Sequence, residues 1–65
     1  MTKRTYILYD WEDGSERRLQ VVYNEGVYQL LLEGEYVGDY SSMVQVNDKI
    51  VSMMKQYGWH IVPQD

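Results

Sequence analysis

The segment Tyr28-Gln29-Leu30-Leu31-Leu32 is the most continuously apolar stretch of the chain, and turn residues close it on both sides: Asn24-Glu25-Gly26 before it, Glu33-Gly34 after it. A run that apolar, bounded by reversals, reads as a strand buried in the middle of a sheet. The residues ahead of it then pair as strands on one side. The residues behind it must bring a helix back over the sheet.

The flanking sequence supplies those strands. Thr5-Tyr6-Ile7-Leu8-Tyr9-Asp10-Trp11 is rich in aromatic and branched residues and stops at Glu12-Asp13-Gly14-Ser15. Asp-Gly is a strong hairpin signal, because both central residues of a type I′ turn take positive φ. The expectation is an α+β fold containing a four-stranded antiparallel meander, with strands at about 5–11, 16–23, 27–32 and 35–39.

Register follows from the turns, since a slip of one residue turns every side chain to the opposite face. Centring the first hairpin on Asp13-Gly14 sets Leu8 opposite Leu19 and Tyr6 opposite Val21. Centring the second on Glu25-Gly26 pairs Val21 with Leu30, Leu19 with Leu32 and Tyr23 with Tyr28. Centring the third on Glu33-Gly34 pairs Leu30 with Val37. Three turns chosen by local chemistry thus put Tyr6, Leu8, Leu19, Val21, Tyr23, Tyr28, Leu30, Leu32 and Val37 on one face, and that agreement between levels supports the fold.

The remainder reads as one helix, about 42–57, and a short strand, 59–62. Ser42 with Gln45 has the form of a capping box. Met43, Val46, Ile50, Met54 and Tyr57 recur at helical spacing, broadened by Val51 and Met53, and would pack on the apolar face of the sheet. Lys49 and Lys55 suit the C-terminal half, and Gly58 stands where a terminating glycine belongs. Trp59-His60-Ile61-Val62, closed by Pro63, fits an edge strand. Strand directions favour placing it antiparallel beside the first strand; a parallel place beside the fourth is the alternative.

Sixty-five residues make a single compact domain, 1–65, and without cysteine neither disulfides nor a thiolate zinc site can staple it. A net charge of −4 disfavours phosphate backbones and acidic membranes. No apolar run approaches a membrane span or a signal-peptide core, so the expected location is cytoplasmic.

No sequence motif marks catalysis. His60 has no partner that would make it a general base, and Ser15, Ser41 and Ser42 are explained by a turn and a cap. Asp10-Trp11-Glu12-Asp13-Gly14 places oxygen ligands in alternation, but its glycine comes one position early for an EF-hand and no helices flank it. The reading is therefore no enzyme, no cofactor, no metal and no small-molecule substrate. The function must be sought on a surface.

The same registers direct Ile7, Tyr9, Trp11, Val22, Val27, Leu31, Tyr36 and Tyr40 away from the helix, among Arg18, Gln20 and Gln29. That side is less polar than a solvated sheet face should be. Tyr, Trp and Arg are also the residue types that dominate interface energetics. The expectation is a small acidic protein–protein interaction module, either a homodimer or an accessory or inhibitory protein, using Ile7, Tyr9, Trp11, Arg18, Val22, Leu31 and Tyr36.

A second cluster, Glu12, Asp13, Glu16, Glu33 and Glu35, would gather along one acidic edge, suited to a basic partner. The alternatives are single-stranded nucleic-acid binding through the aromatic face, or acidic mimicry that occupies a basic site on a partner. Strands followed by a packed helix also occur in small DNA-binding domains, but no coherent basic stripe emerges here.

Overall fold

The computed structural model describes residues 2–64. Five strands and one helix follow in the order β1 (Thr2–Asp10), β2 (Glu16–Asn24), β3 (Val27–Leu32), β4 (Glu35–Tyr40), α1 (Met43–Tyr57) and β5 (Trp59–Gln64). The strands form one antiparallel sheet in the order β4-β3-β2-β1-β5, so the last strand lies beside the first as expected. β5 runs two residues past the expected end, and Pro63 stands opposite Tyr6 on this edge strand. An edge tolerates a residue that lacks an N–H.

Two of the reversals are two-residue turns. Glu25 and Gly26 have φ of 51° and 81°, and Glu33 and Gly34 have 54° and 80°. Two consecutive positive values define the type I′ turn, whose twist matches that of the strands it joins. The β2–β3 register is the expected one, with Val21 opposite Leu30 and Leu19 opposite Leu32.

The first hairpin differs. Tyr6 pairs with Leu19 and Leu8 with Arg17, two residues away from the expected register. Asp13 does not enter the positive-φ region; only Gly14, at 73°, does so in this loop. The Asp10 carboxylate accepts the Glu12 N–H at 2.8 Å and the Asp13 carboxylate accepts the Ser15 N–H at 2.8 Å. Side-chain acceptors of this kind stabilise a longer loop from Trp11 to Gly14 in place of the two-residue turn. Trp11 therefore lies in the loop and not at the end of the strand. A slip of two residues preserves the phase, so the division of faces survives.

The third hairpin begins in the expected register, with Leu31 opposite Tyr36, then shifts. Leu30 faces Gly38 instead of Val37, which leaves Val37 as the extra residue of a bulge. Past the bulge the phase of β4 inverts. Tyr40 pairs with Tyr28 and packs against the core, so its expected place on the opposite face is corrected. Its hydroxyl end lies over Gly38, 3.3 Å from where a β-carbon would stand. The tyrosine ring fills the space that the glycine leaves in the strand.

Ser42 caps α1 by accepting the Gln45 N–H at 3.4 Å. The Gln45 side chain reaches back one residue further than in a standard capping box and accepts from the N–H and hydroxyl of Ser41. Gly58 closes the helix in the left-handed region, and its carbonyl accepts the Trp11 N–H at 3.1 Å. That bond ties the helix end to the first hairpin loop.

The core comprises Leu8, Leu19, Val21, Leu30, Val46, Ile50, Met53 and Trp59. Met53 belongs to the helix stripe as expected, whereas Val51 is 46% exposed. One residue beyond Ile50 lies roughly 100° around the helix, which carries Val51 off the buried arc. Tyr57, also on the expected stripe, is more than half exposed but stacks on Trp59, with ring centroids 4.7 Å apart. Arg17 reaches across the same indole, 5.6 Å from the ring centre.

Leu30 is fully buried at the middle of the sheet. Leu30→Ala should lower unfolding stability by about 2–5 kcal/mol, and Val51→Ala by no more than about 0.5 kcal/mol. Chemical denaturation of both variants checks the pair. Comparable losses would mean that the helix sits at a different rotation.

Candidate interaction face

The β-sheet is covered by α1 on one side only; among the described residues no element lies over the other. Cross-strand pairing arranges that open face in rows. One row runs Thr5, Gln20, Leu31, Tyr36 from β1 to β4, and the next runs Lys3, Val22, Gln29, Asp39. Towards the loop end, Ile7 stands between Arg18 and Val62, and Tyr9 between Glu16 and His60.

All seven expected interface residues therefore share one side. Trp11 is 70% exposed and Tyr36 61% exposed, Arg18 is exposed, and Ile7, Tyr9, Val22 and Leu31 are half-buried. Trp11 joins them because its ring packs on His60, at 4.1 Å between centroids. Tyr9 stacks on the same imidazole at 5.4 Å. His60 thus has aromatic neighbours from both β1 and the loop, and its buried Nδ1 has no hydrogen-bond partner among the described residues. No local pattern marks this group, because it depends on the β1–β5 register and on the course of the loop between β1 and β2.

The tyrosines on this face keep their hydroxyls engaged. Tyr9 donates to Glu16, and this hydrogen bond, with desolvation and the carboxylate charge, raises its pKa above the ordinary tyrosine value. Tyr36 donates to Asp39, and its pKa is raised by that bond first, then by desolvation and by the charges of Asp39 and Tyr40. Each phenol has its polar end satisfied by a neighbouring acid.

The strand-borne charges on the open face come to two of each sign, Lys3 and Arg18 against Glu16 and Asp39. They do not make a basic stripe.

The acidic residues Glu12, Asp13, Glu16, Glu33 and Glu35 are all exposed, and they lie at the end of the sheet that carries the first loop and the third turn. Local bonds already engage several of them. Glu33 accepts the Arg18 N–H at 2.6 Å, Glu16 accepts from Tyr9, and Asp13 accepts from Ser15. Among the described residues, no group of three or more His, Cys, Asp or Glu side chains is placed to hold a metal ion. No helix there is long and apolar enough to cross a membrane.

A groove of about 290 Å³ opens on the helix side, lined by Thr2, Arg4, Val21, Tyr23, Tyr28 and Met43. Tyr23 and Tyr28, expected beneath the helix, form its wall instead, with rings 4.7 Å apart and Tyr23 39% exposed. Lengths explain it. A nine-residue strand spans about 30 Å and a fifteen-residue helix about 22 Å, so the β1–β2 hairpin outruns its cover.

Comparison with protein-family models, with curated proteins and with solved structures finds no match to this chain. Any functional reading therefore rests on the surface just described.

Asp13 provides a test of the loop that carries Trp11. Hydrogen bonds from the Ser15 N–H and hydroxyl hold its pKa below the ordinary 3.8, with a smaller contribution from the charge of Arg17. A carboxylate lowered on folding contributes stability above its unfolded pKa and loses it as pH falls through the folded value. The stability difference between wild type and Asp13→Ala should be full near neutrality and vanish in acid below pH 3.8. A difference that stays flat from pH 7 to pH 2 would remove the carboxylate from the loop's support.

Proposed function

We propose that this protein is a protein–protein interaction module whose binding surface is the open face of its sheet. The carrying observation is the exposure of Tyr36 and Trp11 beside half-buried Ile7, Val22 and Leu31, on a side that no described element covers. Large aromatic side chains on the same face as an arginine, among polar groups, have the composition of an interface. Their contribution to the fold is small, since the buried core lies wholly on the helix side. The balanced charges favour a protein surface over a phosphate backbone, whose binding draws on a basic footprint.

The test is a photo-crosslinking side chain placed at position 36 or 18, with position 44 on the exposed back of the helix as the control. In cell extract or concentrated pure protein, the two face positions should give a discrete adduct of defined mass and position 44 should not. Equal labelling at all three positions, or none at any, would sink the reading. Tyr36→Ser should also leave thermal unfolding nearly unchanged; a lost transition would mean that the face is part of the core.

A further inference from the structure

We propose that the partner of the open face is a second copy of this chain, packed sheet to sheet about a two-fold axis that runs parallel to the strands between β2 and β3. This rests on the interface reading above and names its occupant. The argument begins with the two cross-strand rows. A two-fold in that position keeps each row level and exchanges β1 with β4 and β2 with β3. In the row Lys3, Val22, Gln29, Asp39, it sets Lys3 of one copy against Asp39 of the other, and Val22 against Gln29. In the row Thr5, Gln20, Leu31, Tyr36, it sets Tyr36 against Thr5, and Leu31 against Gln20.

Charge agrees in the rows nearer the loop end as well. Glu33 lies level with Arg18, because its N–H donates to the Arg18 carbonyl at 2.8 Å, so the same rotation brings Arg18 over the turn that carries Glu33 of the second copy. Two copies of a chain with a net charge of −4 repel one another over most of their surfaces. On this face Lys3 meets Asp39 and Arg18 meets Glu33 with opposite sign, while Glu16 stands past the end of β3 and has no counterpart. An isologous contact requires such self-complementarity, since every residue serves both sides of it.

The edges point the same way, and the size suits a weak dimer. Four strands overlap under this rotation, since β5 has no counterpart beyond β4; at a spacing of about 4.8 Å they give roughly 400 Å² in projection, hence about 800 Å² in total, at the small end of protein contacts. Both sheet edges are protected against strand addition. β4 carries the bulge at Val37 between Glu35 and Asp39, and β5 carries Pro63. Bulges, charges and proline are the devices that discourage edge-to-edge growth, which leaves the face as the route to association. The Tyr9–His60–Trp11 stack lies at the flank of this contact.

The experiment is sedimentation equilibrium across a concentration series, on wild type and on charge-reversed variants. Wild type should show a monomer–dimer equilibrium. Lys3→Asp puts two acids together at each Lys3–Asp39 contact and Asp39→Lys puts two bases together, so each alone should weaken dimerisation by at least about tenfold. Mixing the two variants one to one should restore it to within about threefold of wild type, because the heterodimer again pairs opposite charges. The double variant Lys3→Asp with Asp39→Lys should do the same. Restoration on mixing also shows that each variant is folded.

Wild type that remains monomeric up to about 1 mM overturns the proposal, as does association that ignores the swap. If the monomer still gives a discrete adduct with a different protein at position 36, the second-copy assignment falls and the interface reading stands. If it gives no discrete adduct, both fall.

Discussion

Two glycine-bearing reversals hold the phase of this sheet, and its surfaces follow from that phase. At Glu25-Gly26 and Glu33-Gly34 both residues of each pair take positive φ, with a non-glycine residue tolerated in the first position of each. Leu30 lies between them on β3, fully buried, with Val21 as its partner on β2. Loosening the first of these turns by one residue would send Leu30 to the open side and Leu31 into the core, whereas loosening the second would invert β4. Glu33 adds its own brace. It donates its N–H to the Arg18 carbonyl and accepts the Arg18 N–H on its carboxylate, which locks the third turn onto β2, two strands from β4.

Turn chemistry was legible because it is local. The second hairpin has the expected register, and all five strands and the helix lie where the pattern of apolar residues places them. The first hairpin departs from the expected turn without exchanging the faces. The real loop is longer than the two-residue turn, but the resulting displacement is even, and Tyr6, Leu8 and Leu19 keep their side. The information that selects the longer loop is present as Asp10 and Asp13, whose carboxylates bond to N–H groups two residues ahead. Asp-Gly alone does not separate the two outcomes.

Less was legible where a feature depends on lengths and on pairs distant in sequence. The bulge at Val37 inverts β4 and sends Tyr40 to the core, and its only local trace is Gly38, which Tyr40 then covers. The groove beside Tyr23 and Tyr28 comes from a helix shorter than the hairpin beneath it. The His60 stack needs β5 in place beside β1 and the Trp11 loop folded against both. Six of the seven residues expected to form an interface nonetheless share a face because they lie on strands, where membership of a face depends on parity, and parity survived every correction up to the bulge; Trp11 joins them from the loop by packing on His60.

The choice of aromatic residue bears on how that face stays open to water. The chain has seven tyrosines and no phenylalanine. Phenylalanine at positions 9 and 36 would supply the same ring but no hydroxyl. The tyrosine hydroxyls bond to Glu16 and Asp39, so each aromatic group has an acid as its partner on its own face. Orientation in advance reduces the side-chain entropy lost on association. The same acids keep the exposed face polar, and in the proposed two-fold arrangement Asp39 would also meet a lysine. A single carboxylate would then both engage the aromatic group and supply the charge that selects its counterpart.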